Sequence, residues 1–129
     1  MADAEAEWWI IGSAAVALHG VDPGPILDVD VLLGVADATR LLPMLGMPVS
    51  PGRPDDRFRS TIFARWTAPP LPVEFMAGLE LRDDGGWQAV LPRSRIPLDA
   101  VFAPDRADLI TILHRFGRDK DLRRAALFA

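Results

Sequence analysis

Four segments in the first two-thirds of the chain have the apolar patterns of β-strands. Residues 8–11 form a compact run of strand-favouring tryptophan and isoleucine. Residues 57–67 alternate between two sets of side chains, and alternation with a period of two indicates a strand. Residues 26–33 and 71–77 are apolar segments that contain acidic residues. We therefore predict an α/β (α+β) architecture, with a mixed sheet of four to five strands and helices packed on it.

Helices are predicted between these strands and at the end of the chain. A residue whose side chain accepts hydrogen bonds from free N–H groups favours a helix start, and glycine favours a helix end. On this basis the predicted N-caps are Ser13, Asp37 and Asp119, and the predicted C-terminal stops are Gly20 and Gly117. The predicted helices span residues 14–19, 38–46, 104–116 and 120–128.

Turn-forming residues divide these elements without suggesting a domain boundary. Residues 68–72 are a proline-rich turn, and residues 83–86 form an Asp-Gly turn. Residues 46–57 combine Gly, Pro, Ser, Asp and Arg at high density and predict a long loop. Because 129 residues is the usual size of one domain, we expect a single domain over residues 1–129.

The composition excludes several function classes. Half of the residues are hydrophobic, so a substantial core can form, and the net charge of −4 lacks the strongly basic footprint of a duplex-DNA-binding domain. The absence of cysteine excludes disulfides, thiolate metal sites and cysteine nucleophiles. No apolar run is long enough to cross a membrane, and the acidic N-terminal residues lack the features of a signal peptide. We therefore expect a cytoplasmic protein with no membrane partner.

Asp28 and Asp30 are the most informative pair of residues. Residues two apart in a strand point to the same face, so the two carboxylates lie side by side. The intervening apolar residues Leu27, Val29 and Val31 are expected to point to the other face. Two negative charges about 4 Å apart repel by roughly 4 kcal/mol at an effective dielectric of about 20, and a divalent cation such as Mg²⁺ relieves that repulsion. The alternative is an edge strand whose acidic residues face water.

Glu74 and the Gly12-Ser13 pair extend this candidate site. Glu74 is the lone acidic residue of segment 71–77, and it completes a three-carboxylate group if that strand neighbours residues 26–33. Three acids with two metal ions are a common arrangement for nucleotidyl transfer. Gly12 and Ser13 lie between a strand and a helix, where the backbone can approach an anion and free N–H groups are available. The alternatives are a solvent-facing Glu74 and a Ser13 that only caps the helix.

The order of these features resembles the nucleotidyltransferase superfamily. A strand, a Gly-Ser turn and a helix occupy residues 9–20, a strand with Asp-x-Asp follows at 26–33, and a strand with one acid follows at 73–76. Residues 117–122 are similar to a Gly-Arg-x-Lys-Asp segment of the small bacterial branch that includes abortive-infection toxin-like proteins and nucleotidyltransferase-fold proteins of unknown function. The resemblance covers most of the chain.

This resemblance implies a role for each of the five site residues. Gly12 and Ser13 would bind the triphosphate of an NTP such as ATP, and Asp28 and Asp30 would hold two Mg²⁺ ions. Glu74 would hold the metal ion nearer the attacking hydroxyl and help to remove its proton. The implied activity is transfer of an NMP from the NTP to a nucleic-acid or protein acceptor, RNA included, with release of pyrophosphate.

Two other interpretations stay open at this point. The chain is alternatively a catalytically inactive nucleotidyltransferase-fold protein that binds or regulates a partner, as in a toxin–antitoxin pair, or an interaction module whose acids face solvent. An antitoxin is the partner expected in the first of these. A homodimer is expected only from its general frequency among proteins.

Several basic residues are secondary candidates. His114 and Arg115 are candidate nucleotide contacts, and Arg57, Arg59 and Arg65 border the cleft if their strand does. A basic group near the end of the chain is expected mainly to pair with nearby acids, with a phosphate or RNA contact as the alternative. Its members are Arg118, Lys120, Arg123 and Arg124.

Overall fold

The structure is a computed structural model that describes residue 1 and residues 3–128, and these residues form nine strands and four helices. In chain order the elements are β1 (Trp8–Ile11), α1 (Gly12–Leu18), β2 (Val29–Leu33), α2 (Val35–Met44), β3 (Phe58–Arg59), β4 (Ile62–Trp66), β5 (Val73–Ala77), β6 (Glu80–Asp83), β7 (Gly86–Ala89), β8 (Ile96–Leu98), β9 (Val101–Ala103), α3 (Arg106–Phe116) and α4 (Asp119–Ala126). The long loop predicted over residues 46–57 contains no helix or strand.

A four-stranded mixed sheet with the order β1-β2-β5-β4 is the centre of the fold. β2 and β5 are parallel, whereas β1 and β4 run antiparallel to their neighbours. A three-stranded sheet, β3-β6-β7, and the β8-β9 hairpin accompany it. The predicted mixed sheet of four to five strands with packed helices is therefore confirmed.

Both faces of the central sheet are covered. Trp8 and Ile10 of β1 belong to one apolar cluster with residues of α1, α3 and α4, whereas Trp9 and Ile11 belong to a second cluster beneath β6 and α3. Alternate residues of a strand point to opposite faces of the sheet, so all four side chains of β1 can be buried only if both faces of the sheet are covered. This explains why residues 8–11 are continuously apolar.

Three predicted helix caps are wrong. α1 begins at Gly12, and Ser13 makes no capping hydrogen bond. Gly12 itself turns the chain out of β1, with a φ of 69°. α2 begins at Val35, which places Asp37 inside its first turn. α4 begins at Asp119, and Arg118 is its N-cap. The predicted stop residues Gly20 and Gly117 are both left-handed, with φ of 82° and 67°.

The single strand predicted over residues 57–67 is two strands in different sheets. β3 pairs with β6, and β4 pairs with β5. The partner strands β5 and β6 are themselves separated by a turn at Gly78, which has a φ of 65°, and Thr61 lies against that glycine. The chain therefore bends at Ser60 and Thr61 to follow its partners. The alternation in β4 holds, since Ile62 and Ala64 are buried while Arg65 is exposed.

Leu27 is a further correction. It precedes β2 and is 77% exposed, so its predicted position in a strand beside Val29 and Val31 is wrong. Val31 lies in β2 and is buried. Among the residues that the structure describes, no helix has both the length and the apolar character needed to span a membrane.

Candidate metal centre

Asp28, Asp30 and Glu74 come together at one end of the parallel strand pair. Asp30 lies directly opposite Glu74 in the β2–β5 register, and Asp28 immediately precedes β2. One carboxylate oxygen from each residue lies within 4.8 Å of the others. The structure therefore brings together the three acids that the sequence singled out. Their convergence depends on β2 and β5 being neighbours, which the sequence left conditional.

These residues fit a hard divalent cation. Carboxylate oxygens are the donors that Mg²⁺ takes from proteins. Oxygens that share one Mg²⁺ at about 2.1 Å are at most about 4.2 Å apart, so the observed spacing needs only small side-chain movements to form a bound site. An acidic group of this composition can therefore bind a metal ion, and all three side chains are half-buried.

Gly12 makes room for the half-buried carboxylate of Asp30. A Cβ added at Gly12 would lie 2.9 Å from Oδ2 of Asp30, which is closer than real Cβ contacts allow. The backbone at the start of α1 therefore reaches the edge of the triad. Ser13, the next residue, is 8% exposed and faces the same cavity.

The electrostatic environment makes Asp30 difficult to ionise. Burial, followed by the negative charges of Asp28 and Glu74, raises the pKa of Asp30 from 3.8 to about 7. Arg118 acts in the opposite direction and lowers the pKa of Asp30. A group of three acids that cannot all ionise readily is the situation that a bound cation relieves.

Arg65 lies on the outer side of the triad. Its Nη1 is 2.9 Å from Oε2 of Glu74 and 3.6 Å from Oδ2 of Asp28. The sequence suggested only that Arg65 borders a cleft if its strand does. Its position opposite Glu74 follows from the antiparallel pairing of β4 with β5.

The triad opens into a cavity of about 660 Å³. Gly12 and Ser13 line this cavity together with the three acids. Its apolar lining includes Phe58, Phe63, Met76, Leu79 and Phe116. Its positively charged lining comprises Arg53, Arg59, Arg118, Lys120 and Arg124. The cavity thus combines a candidate metal centre with basic side chains that suit an anionic ligand.

Arg118 is the most firmly held of these basic residues. Its guanidinium forms two hydrogen bonds with the buried carboxylate of Asp121, of 2.6 and 3.1 Å. Its Cζ also lies 5.0 Å from the ring centroid of Phe58 and 5.8 Å from that of Phe116. The expected pairing of Arg118 with an acid is confirmed, but no sequence pattern indicated that this pair also holds Arg118 at the cavity.

Other basic candidates lie elsewhere. His114 and Arg115 of α3 are not among the residues lining the cavity, and Arg115 donates to the carbonyl of Ala89 instead. Arg57 donates to the carbonyl of Phe116 at 2.6 Å.

Arg53 lines the cavity from the long loop, and nothing in the sequence pattern distinguished it from neighbouring loop residues.

Comparison with known proteins supports the fold. No protein-family model matches the chain, and no curated protein matches it. A crystal structure of a Thermotoga maritima protein described as a "putative nucleotidyltransferase" superposes with a TM-score of 0.71 at 17% sequence identity. The match covers 99% of this chain and 84% of that one. The chain therefore has a nucleotidyltransferase-like fold.

Proposed function

We propose that the chain is a Mg²⁺-dependent nucleotidyltransferase that transfers an NMP from an NTP to an acceptor hydroxyl. The observation that carries the proposal is the meeting of Asp28, Asp30 and Glu74 beside the Gly12 turn, at the mouth of a cavity with basic side chains. The nucleotidyltransferase-like fold supports the same activity.

Each acid has a distinct proposed role. Asp28 and Asp30 would hold two Mg²⁺ ions, and Glu74 would contribute a carboxylate oxygen to the same centre. Bound Mg²⁺ would neutralise the triphosphate and make the acceptor hydroxyl more acidic. The hydroxyl oxygen forms a bond to the α-phosphorus, the bond from that phosphorus to the bridging oxygen of the β-phosphate breaks, and pyrophosphate leaves. Glu74 accepts the hydroxyl proton.

Gly12 and Ser13 are proposed to hold the triphosphate. The first N–H groups of a helix have no partner within the helix, and a glycine before them lets a phosphate approach the backbone. The Ser13 side chain faces the cavity and makes no helix-capping bond, so its hydroxyl is available to a phosphate oxygen. Arg118, which is held at the same cavity by Asp121, is positioned to receive the leaving pyrophosphate charge.

Transfer of label from α-³²P-NTP tests the activity directly. We expect the purified protein to release pyrophosphate and label an RNA or protein acceptor only with Mg²⁺, and we expect Asp30→Asn to lose at least about a hundredfold of this rate. Asp55→Asn is the matched control. Asp55 also lines the cavity, but its carboxylate accepts the N–H groups of Arg57 and Phe58.

The transfer assay, together with a measurement of NTP binding, also separates the proposal from the alternatives raised by the sequence. Metal-dependent NTP binding without transfer to any RNA or protein would contradict the enzyme proposal and favour a binding or regulatory protein. Absence of both binding and transfer would favour an interaction module.

A further inference from the structure

Arg65 belongs to a row of directly paired residues that crosses the central sheet. Asp30 of β2 lies opposite Glu74 of β5, and Glu74 lies opposite Arg65 of β4. Directly opposed residues project from the same face of a sheet. The row therefore places a permanently charged guanidinium next to the candidate metal ligands, on the strand at the edge of the sheet.

The guanidinium contacts two of the three acids. The Nη1 atom that lies 2.9 Å from Glu74 is also within 3.6 Å of Asp28. In the described part of the chain, no ion pair to Asp30 is found. One positive charge thus neutralises part of the triad and leaves the carboxylate of Asp30 for a metal ion.

We propose that Arg65 is a built-in cation that competes with the divalent metal ion for Glu74 and Asp28 and so weakens metal binding at this centre. The proposal rests on the metal-dependent function proposed above. A metal ion held by Glu74 would lie close to Arg65, and two like charges in that position repel. Metal binding therefore requires the guanidinium to withdraw from Glu74.

The surroundings of Arg65 permit that withdrawal. Its side chain is 46% exposed and lies on an edge strand, so it can turn into solvent without opening the core. Glu74 is 23% exposed, which leaves the acid less able to move than its basic partner. Metal affinity is thereby set by the balance between an internal cation and an external one.

Arg59 provides a matched control. It forms the same kind of ion pair, with its Nε 2.7 Å from Oε1 of Glu80, and its exposure of 43% is close to that of Arg65. Arg59 also lines the cavity. Its partner, however, is not a member of the triad, so removing its charge leaves Glu74 and Asp28 as they were.

Calorimetric titration of the full chain with Mn²⁺ and with Mg²⁺, in the absence of nucleotide, tests the proposal. We expect Arg65→Gln to bind the metal about two- to fivefold more tightly than the wild type, which is the range for loss of partly exposed charge pairs. Arg65→Lys keeps the positive charge and is expected to bind within about twofold of the wild type, as is Arg59→Gln. The difference in metal affinity between Arg65→Gln and the wild type should shrink in high salt because exposed charges are screened.

The possible outcomes are distinct. Unchanged or weaker metal binding by Arg65→Gln, in a protein whose circular dichroism matches the wild type, would overturn the competition and leave the proposed enzyme intact. Equal tightening by Arg59→Gln would show a general effect of net charge and would also overturn it. Failure of both the wild type and Arg65→Gln to bind metal would overturn the metal centre itself.

Discussion

The backbone of Gly12 lies so close to the carboxylate of Asp30 that a side chain at position 12 would collide with it. A Cβ at this position would lie 2.9 Å from Oδ2 of Asp30, and Gly12 has a φ of 69°. Both conditions disfavour a side chain, the first because it would crowd the carboxylate and the second because the left-handed backbone conformation is strained for residues other than glycine. The start of α1 and the triad are therefore built as one unit.

Gly12→Ala is expected to destabilise the protein and to impair the site. The left-handed backbone conformation costs alanine about 1 kcal/mol, and the contact with Asp30 adds to this. Gly20→Ala is the control, because Gly20 has a φ of 82° but an added Cβ there would meet nothing within 4 Å among the described residues. Denaturant unfolding should show a loss for both variants, whereas calorimetry should show weakened metal binding only for Gly12→Ala. Equal metal binding by the two variants would contradict the proposed contact.

The raised pKa of Asp30 predicts a pH dependence of stability in the metal-free protein. The folded protein holds this proton up to about pH 7, whereas the unfolded chain releases it near pH 3.8. The folded state therefore binds more protons between these values, and the free energy of unfolding falls as the pH rises from about 4 to about 7. The full effect is at most about 4 kcal/mol, since one pKa unit corresponds to about 1.4 kcal/mol.

Asp30→Asn isolates this contribution, because asparagine does not titrate. Urea unfolding of both proteins at pH 5 and pH 8 in EDTA should show that the variant gains stability relative to the wild type at the higher pH. A stability difference that is the same at both pH values would contradict the raised pKa.

Asp37 predicts the opposite pH dependence. Its carboxylate accepts the N–H groups of Glu5 and Ala6, both at 3.0 Å, and it also contacts Arg40. The hydrogen bond from Glu5 is the largest cause of the lowered pKa of Asp37, and burial opposes it. A group with a lowered folded pKa stabilises the protein above its unfolded pKa of 3.8, and this contribution is lost as the pH falls through the folded value.

Asp37→Ala is therefore expected to lower the free energy of unfolding by about 1–3 kcal/mol at pH 7, with a smaller loss below pH 3.8. Asp22→Ala removes an exposed carboxylate that accepts the N–H of Gly24, and it should cost less than about 0.5 kcal/mol. Urea titrations at pH 7 and pH 3 measure both. A loss for Asp37→Ala as small as that for Asp22→Ala would show that the hydrogen bonds to the N-terminal segment contribute little.

Arg118→Lys tests the basic lining of the cavity. Lysine keeps the charge but loses the paired hydrogen bonds to Asp121, so the charge is no longer held in place. We expect NTP binding to weaken about fivefold or more, with a stability loss of about 1 kcal/mol. Arg115 lies outside the cavity, so Arg115→Lys should change neither NTP binding nor stability. Nucleotide affinity equal to that of the wild type would exclude Arg118 from the nucleotide site.

The sequence pattern predicted the acids of the site because their signal is local. Asp28 and Asp30 interrupt one apolar segment, and Glu74 interrupts another, so each is conspicuous in its own segment. The pairing of β2 with β5 is not local, and this is why the convergence of the three acids was only conditional. The same non-local pairing determines the position of Arg65.

Features that depend on long-range contacts were missed. Asp37 looked like a helix cap, but its carboxylate binds the N–H groups of residues 5 and 6, more than thirty positions away. The bend at Ser60 and Thr61 follows from the partners of β3 and β4, which lie later in the chain. Arg118 was one of several similar basic residues, and its packing against Phe58 and Phe116, in addition to its pairing with Asp121, singles it out.

The most direct test of the proposed metal centre is calorimetric NTP binding by the wild type and the Asp28→Asn/Asp30→Asn double variant, in Mg²⁺ and then in EDTA. We expect the wild type to bind NTP in Mg²⁺ at least about tenfold more tightly than in EDTA, and the double variant to lose this difference. Retained circular dichroism would show that the variant is folded. NTP binding that is equally tight in EDTA, or in the double variant, would contradict a metal centre formed by these carboxylates.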